Sequence, residues 1–123
     1  METVLVVDDS SFMRRRCVSL VRELGYGTME ACDGRQAVEL YRQARPRAVL
    51  MDISMPRIDG LEALRQIIAL DPDANVAMVA TSDQQHAIYH AIKAGARAFV
   101  GKPFKPDSVK AVLQKLVAGS LPT

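Results

Sequence analysis

The sequence has no tryptophan and few other aromatic residues. Three tyrosines and three phenylalanines among 123 residues offer few platforms on which nucleic-acid bases could stack. Sixteen Lys and Arg residues stand against fourteen Asp and Glu residues, so the formal net charge is only +2. A charge this small does not create the strong positive field that attracts nucleic acids. We therefore expect no nucleic-acid partner.

Long hydrophobic runs and cysteine clusters are also missing. The longest apolar run has about five residues, whereas a membrane-spanning helix needs about twenty. The first residues lead into a strand-like segment without the basic and apolar regions of a signal peptide. Cys17 and Cys32 form neither a CxxC pair nor a zinc ligand set. We expect no membrane association, a cytoplasmic location and two buried free thiols.

Short apolar runs alternate with helical patterns along the whole chain. Runs at residues 4–7, 48–51 and 76–80 predict strands, and weaker signals at 26–31 and 97–101 predict two more. Apolar residues recur at helical spacing after each of them. Five strand–helix units in succession predict a parallel sheet with right-handed crossovers and helices on both faces. The expected fold is α/β, a doubly wound five-stranded (βα)5 sheet, in one domain over residues 1–123.

Four of the five predicted strands end in polar, chemically reactive side chains. Taken singly, each has an ordinary explanation as a helix cap, a loop residue or a surface charge. Ligands of open α/β sheets bind at the carboxyl ends of the strands, so the sequence predicts that these side chains meet at one edge. They are Asp8, Asp9, Asp52, Thr81, Ser82 and Lys102.

Three carboxylates at one edge of a sheet repel each other and need compensating positive charge. Lys102 supplies one unit, and a divalent cation with oxygen ligands, Mg²⁺ or alternatively Mn²⁺, would supply two more. A metal, a lysine and a hydroxyl group can together stabilise a phosphoryl group during transfer. The residues alone therefore predict phosphoryl transfer onto the carboxylate of Asp52.

Four motifs resemble, in the same order, those of receiver domains of bacterial two-component systems. The resemblance is closest to stand-alone chemotaxis regulators of the CheY type, and it covers essentially the whole chain. It implies a flavodoxin-like fold and a response regulator function. The motifs are VLVVDDS at residues 4–10, VLMDISMP at 49–56 followed by Asp59-Gly60, Thr81-Ser82, and Lys102-Pro103-Phe104.

The resemblance implies a phosphoacceptor and a magnesium site. Asp52 would accept a phosphoryl group from a sensor histidine kinase or from a small acyl phosphate. Asp9, the side chain of Asp52 and the backbone carbonyl of Ser54 would bind Mg²⁺ directly, and Asp8 would act through water.

The resemblance also implies a conformational switch. Lys102 would contact the phosphoryl group, and the Lys102–Pro103 peptide bond would be cis. Thr81 would form a hydrogen bond to a phosphoryl oxygen, and the ring of Phe99 would move inward into the space that Thr81 leaves.

Two positions depart from the chemotaxis pattern. Phe99 replaces the usual tyrosine, so an output contact through a phenolic hydroxyl is lost. Ser54 stands where that subfamily often has asparagine. Ser54 and Asp83 lie two residues beyond Asp52 and Thr81, and in the family these positions tune the lifetime of the phosphoryl group.

The expected function is a phosphorylation-controlled binding switch that catalyses only its own phosphorylation and dephosphorylation. Its output face would comprise the fourth helix, the fifth strand and the fifth helix. The expected partners are a sensor histidine kinase, a downstream target such as a flagellar motor switch or another effector, and a phosphatase. We expect a monomer.

Three alternatives stay open at this point. The chain could be a receiver excised from a larger regulator, such as a transcription factor or a methylesterase. It could be a phosphatase of the haloacid dehalogenase type, although that enzyme needs a second aspartate where Ser54 stands. It could also be a docking module without phosphorylation.

Two histidines lie four residues apart on the fourth predicted helix, a spacing that can hold a metal. Ala87, Ala91 and Ile92 are the expected inner residues of this helix. His86 and His90 are therefore expected to face solvent or a partner.

A run of three arginines lies on the first predicted helix, at Arg14, Arg15 and Arg16. We interpret it as a solvated face. A contact with a kinase or a phosphatase is the alternative.

Overall fold

The computed structural model describes residues 2–55 and 59–119, and within these ranges strands and helices alternate. None of the described helices combines the length and the apolar character needed to cross a membrane. A 3₁₀ turn at Ser82–Gln84 precedes the fourth α-helix. The strands are β1 (Thr3–Val7), β2 (Gly27–Ala31), β3 (Ala48–Asp52), β4 (Val76–Ala80) and β5 (Ala98–Gly101). The helices are α1 (Ser11–Glu23), α2 (Gly34–Ala44), α3 (Gly60–Leu70), α4 (Gln85–Ala94) and α5 (Pro106–Gly119).

The five strands form one parallel sheet in the order β2-β1-β3-β4-β5, which confirms the predicted fold class. The strand order reverses at β1, which pairs with β2 on one side and with β3 on the other. Val7 of β1 lies opposite Met51 of β3, so the residues that follow both strands emerge side by side. This reversal point is where an open α/β sheet binds its ligands.

Helices cover both faces of the sheet, and alternate strand residues enter two separate cores. Val4 and Val6 pack in the layer of α1 and α5. Leu5 and Val7 pack in the layer of α2, α3 and α4. Because the three inner strands β1, β3 and β4 are buried on both sides, their residues are mostly apolar without alternation, whereas the edge strands β2 and β5 are only partly buried.

Polar side chains begin several helices where the sequence changes from strand to helix. The side chains of Ser10, Asp33 and Asp59 accept hydrogen bonds from backbone amides in the first turns of α1, α2 and α3. Gly95 ends α4 with a φ of 119°, a conformation that glycine adopts without steric cost. α1 and α2 therefore start within four residues of a strand end, whereas a longer loop separates β3 from α3.

Two sequence expectations about burial are wrong. Cys17 is buried as expected, but Cys32 is exposed because it follows the edge strand β2 in the turn before α2. Ile92 is 52% exposed, because the inner side of α4 passes through Ala91 and the half-buried Ile88. Pro56, which belongs to one of the motifs, and the segment 120–123 lie outside the described residues.

Candidate active site at the carboxyl edge of the sheet

Backbone hydrogen bonds continue past the strand ends and position the polar residues. The amide of Asp8 donates to the carbonyl of Ala31, 3.2 Å away, and the amide of Lys102 donates to the carbonyl of Ala80 at 2.9 Å. Asp52 is itself the last residue of β3. The sheet thus carries side chains from β1, β3 and β5 to one edge, as the sequence predicts.

A lysine bridges two buried carboxylates at this edge. The Lys102 Nζ atom lies 3.1 Å from Oδ2 of Asp52 and 3.5 Å from Oδ2 of Asp8. Asp8 and Asp52 are 3% and 6% exposed. Burial of this kind is costly for a charge unless an opposite charge is close. The ammonium group therefore holds the two strand ends together electrostatically.

The pKa values of this group reflect burial and pairing. Burial raises the pKa of Asp52, with a smaller contribution from the Asp8 charge, while hydrogen bonds from the Ser54 amide and Lys102 oppose the shift. Burial alone would lower the pKa of Lys102, but the ion pairs with Asp52 and Asp8 raise it. Lys102 is consequently held as a cation at neutral pH.

Three aspartates offer a set of oxygen ligands. One carboxylate oxygen each from Asp8, Asp9 and Asp52 lies within 4.8 Å of the other two. Asp9 is exposed, which leaves one side of the group open to solvent. One ammonium against three carboxylates leaves excess negative charge. A donor set made only of oxygen atoms with this charge fits Mg²⁺ or Mn²⁺.

Local contacts hold the acidic residues in place. Oδ1 of Asp8 accepts a hydrogen bond from the amide of Ser10 at 2.9 Å. Oδ1 of Asp52 accepts one from the amide of Ser54 at 3.2 Å. A Cβ atom on Gly60 would lie 2.1 Å from the backbone oxygen of Asp52. Only glycine therefore allows α3 to begin this close to the end of β3.

Arg14 is part of this neighbourhood, which the sequence interpretation missed. Its Nη1 atom donates to the backbone oxygen of Asp8 at 2.8 Å, and its Nε atom pairs with Glu30 at 3.0 Å. Arg15 and Arg16 are exposed as expected. No local sequence signal distinguishes Arg14 from Arg15 and Arg16, because the contact depends on how its long side chain folds back over the start of α1.

The hydroxyl group of Thr81 is engaged by its own loop. It donates a hydrogen bond to the carboxylate of Asp83 and lies 3.2 Å from Oε1 of Gln84. The same Gln84 oxygen accepts the amide hydrogen of Thr81 at 2.9 Å. The role of Gln84 was not predicted from the sequence. Thr81 is thus held toward the start of the next helix.

Phe99 points largely to solvent beside a cavity. Phe99 is 51% exposed, and the cavity next to it has a volume of about 420 Å³. Thr81, Ile88 and Lys102 line the same cavity. One space therefore connects the lysine of the acidic group, the threonine and the aromatic ring.

Comparison with known protein families gives a match over most of the chain. Residues 4–114 match the family of the response regulator receiver domain. The chain is 41% identical over 114 residues to the chemotaxis protein CheY of Thermotoga maritima, covering 92% of this chain and 95% of that protein. It is 43% identical over 113 residues to CheY of Listeria monocytogenes, covering 91% and 95%.

Solved structures show the same architecture. The chemotaxis protein CheY4 of Vibrio cholerae superimposes with a TM-score of 0.88 at 27% identity, covering 94% of this chain and 98% of that one. A response regulator receiver domain protein from Clostridium thermocellum superimposes with a TM-score of 0.93 at 20% identity, covering 97% and 96%. The arrangement of strands that forms the acidic edge is therefore shared with these proteins.

Proposed function

Because the chain belongs to the response regulator receiver domain family and is a phosphorylation-activated switch of two-component signalling, we propose that Asp52 is its phosphoacceptor. The observation that carries this assignment is the contact between Lys102 and the buried carboxylate of Asp52, 3.1 Å away. Among the carboxylates of the described acidic group, Asp52 lies at the end of the central strand β3. Its partner Lys102 also lines the cavity beside Thr81.

We assign the metal-binding role to the acidic group. Asp9, the carboxylate of Asp52 and the backbone carbonyl of Ser54 would hold Mg²⁺, with Mn²⁺ as an alternative, and Asp8 would act through water. When bound, the ion neutralises negative charge on the phosphoryl oxygens and the carboxylates. The all-oxygen donor set of Asp8, Asp9 and Asp52 supports this assignment.

The protein's own part in the reaction is to orient and to balance charge. A carboxylate oxygen of Asp52 attacks phosphorus, an oxygen–phosphorus bond forms, and the bond from phosphorus to the donor atom breaks. The Lys102 ammonium stays with the phosphoryl oxygens as negative charge develops on them. The product is one aspartyl phosphate per chain, so we propose a switch rather than an enzyme with turnover on other substrates.

Thr81 and Phe99 would transmit the change. A phosphoryl group at Asp52 offers a stronger acceptor to the Thr81 hydroxyl than Asp83 does, and the departing threonine leaves space for the Phe99 ring beside the cavity. Shifting such a two-state equilibrium from 1:99 to 99:1 takes about 5.5 kcal/mol. Ser54 and Asp83 flank this region and would set how long the phosphoryl group persists.

The partners follow from a chemotaxis-type switch. We propose a sensor histidine kinase as donor and a downstream protein, such as a flagellar motor switch or another effector, at the face formed by α4, β5 and α5. A phosphatase would be a third partner. Exposed Tyr89, Ile92 and Phe99 support α4 and β5 as part of that face. In this proposal residues 1–123 act as one receiver domain, monomeric and cytoplasmic.

Acetyl phosphate tests the assignment directly. The chain is incubated with acetyl phosphate and Mg²⁺, the reaction is quenched in acid, and the mass of the intact protein is measured by mass spectrometry. We expect a gain of one phosphoryl group that requires the metal and that disappears in Asp52→Asn. Asp33→Asn is the matched control, since asparagine also caps α2, and it should be labelled like the parent chain.

Two outcomes would contradict the proposal. Labelling of Asp52→Asn at the parent level would place the phosphoryl group elsewhere. A parent chain that stays unlabelled with every donor and metal would leave only a docking function.

A further inference from the structure

Two histidines on the exposed side of α4 face each other across one helical turn. The Nε2 atoms of His86 and His90 are 3.1 Å apart, and the planes of the two rings meet at 83°. Both residues are exposed. The spacing of four residues places both side chains over the same patch of the helix. Neither histidine belongs to the acidic group at the sheet edge.

The separation of the two Nε2 atoms fits two ligands of one metal ion. Metal–imidazole bonds of about 2.1 Å place the nitrogens about 3.0 Å apart at a right angle and about 3.4 Å apart at a tetrahedral angle. The observed 3.1 Å lies between these values. We infer that His86 and His90 chelate one divalent ion of the zinc class, with its other positions open to water or to a partner's side chain.

The protonation of the rings is compatible with this role. At 3.1 Å the two nitrogens share one hydrogen bond in the metal-free chain. Chelation needs a lone pair on each Nε2, so the ring that donates this hydrogen bond gives up its Nε2 proton to solvent and, if neutral, takes one up at Nδ1, which leaves both bound rings neutral with their proton on Nδ1. Because both rings are exposed, they can rotate to direct both lone pairs at the ion.

The surroundings leave the pair free for an ion. The ring of Tyr89 packs edge-on against His90, with centroids 5.7 Å apart. The Lys93 ammonium lies over the Tyr89 ring, 5.3 Å from its centroid. The nearest cation on the helix is therefore engaged by an aromatic face.

The proposed site differs in chemistry from the acidic group. Imidazole nitrogens suit Zn²⁺, Ni²⁺ and Cu²⁺, whereas carboxylate oxygens suit Mg²⁺. The inference does not depend on phosphorylation at Asp52, so either can fail alone. It has a structural consequence, because α4 also contributes Ile88 to the cavity beside Phe99. An ion at this site clamps one turn of that helix.

Zinc titration with a relocated histidine tests the inference. All protein variants carry Cys32→Ser, which removes an exposed thiol. All solutions contain a large excess of Mg²⁺, which occupies the acidic group. Calorimetry and thermal melting then follow Zn²⁺ binding to the parent, to His90→Gln, and to the double variant His90→Gln with Lys93→His. The double variant keeps two histidines on α4 but places them seven residues apart.

We expect one Zn²⁺ per parent chain and a loss of affinity of about tenfold or more in both variants. Asp9→Asn should bind Zn²⁺ like the parent. Equal binding by the double variant, a large loss in Asp9→Asn, or histidine ring resonances that do not move at one equivalent of Zn²⁺ would each overturn the inference. Unchanged melting of the metal-free variants establishes that they are folded.

Discussion

Lys102 acts on the acidic group in two opposite ways. In the proposed reaction its ammonium, which contacts Asp8 and Asp52, supports negative charge on the transferred phosphoryl group, and it also repels a metal cation held by Asp9 and Asp52. Replacing it by methionine keeps most of the side-chain volume and removes the charge. We expect Lys102→Met to accept the phosphoryl group on the order of 100-fold more slowly while binding Mg²⁺ more tightly.

Acid-quench mass spectrometry measures the first change and calorimetry measures the second. Lys105→Met, an exposed lysine three residues away, is the control and should behave like the parent chain. If both phosphorylation and Mg²⁺ binding fall together in Lys102→Met, the variant is misfolded or the charge argument is wrong, and circular dichroism separates these outcomes.

Asp83 restrains the residue that is expected to move. The Thr81 hydroxyl donates to its carboxylate, so recruitment of Thr81 to a phosphoryl group must break this hydrogen bond. A hydrogen bond to a partly solvated carboxylate contributes about 1 kcal/mol. We expect Asp83→Ala to bind beryllofluoride, a phosphoryl analogue, about fivefold more tightly in the presence of Mg²⁺.

Ser82→Ala is the control for this measurement, because it changes the neighbouring exposed side chain and leaves the Thr81–Asp83 contact intact. An affinity of Asp83→Ala that equals or falls below that of the parent would show that the restraint does not oppose switching.

The ends of α2 and α3 are tied by one hydrogen bond. The hydroxyl group of Tyr41 donates to Oδ2 of Asp71 at 2.6 Å, and Arg45 lies 3.3 Å from the same oxygen. The hydrogen bond from Tyr41 lowers the pKa of Asp71. Burial, together with the hydrogen bond to Asp71, raises the pKa of Tyr41 above 10.0. We expect Tyr41→Phe to lower the free energy of unfolding by about 1–2 kcal/mol at neutral pH.

The pH dependence of this loss has a definite sign. Asp71 has a lowered folded-state pKa, so its contribution is present above about pH 4 and is lost as the pH falls through that lowered value. Tyr41 has a raised folded-state pKa, so its contribution is present below about pH 10 and declines above it. Urea unfolding of both chains from pH 3 to 11 should give a difference that is largest between these limits. A difference that does not vary with pH would refute the assignment.

Strands and helices were predictable because both have strong local signals. Uninterrupted apolar runs identified β1, β3 and β4, and the weaker β2 and β5 were placed within one residue. The outer limit of a helical face was less predictable. Ile92 lies 100° around the axis of α4 from the buried Ala91. The helical period alone does not show whether the buried face of the helix extends that far.

The sequence predicted which residues meet at the sheet edge better than it predicted the contacts between their side chains. Topology brings strand ends together, so Asp8, Asp52 and Lys102 could be grouped from the sequence. The contact of Arg14 with the Asp8 carbonyl depends on how a long side chain folds back over a helix start, which carries no local sequence signal. The assigned chemical roles stay predictions until they are measured.

The reactivities of the two cysteine thiols report on different states of the whole molecule. Cys32 is exposed, whereas Cys17 is 2% exposed in the core between the sheet and the layer of α1 and α5. Burial, and secondarily the charge of Asp8, raises the pKa of Cys17 to about 12. Since only the thiolate reacts readily, we expect a thiol reagent to modify one cysteine at once and Cys17 on the order of 1,000-fold more slowly.

Intact mass during labelling measures both phases, and Cys32→Ser should leave only the slow one. The slow rate should rise with urea in proportion to the unfolded population, because Cys17 becomes accessible when the two layers separate. Fast modification of both thiols would show that this layer opens without global unfolding.

The two buried carboxylates at the sheet edge are synthesised well before the lysine that balances their charge. β1, β2 and β3 are adjacent in the sheet and come from the first 52 residues, so they can pair early. They bring Asp8 and Asp52 together, while Lys102 follows 50 residues after Asp52 at the end of the last strand. A growing chain that pairs these three strands early would bring the two carboxylates together before their counter-ion is synthesised. Docking of β5 would then supply the missing cation, so that electrostatic attraction as well as burial would favour completion of the sheet.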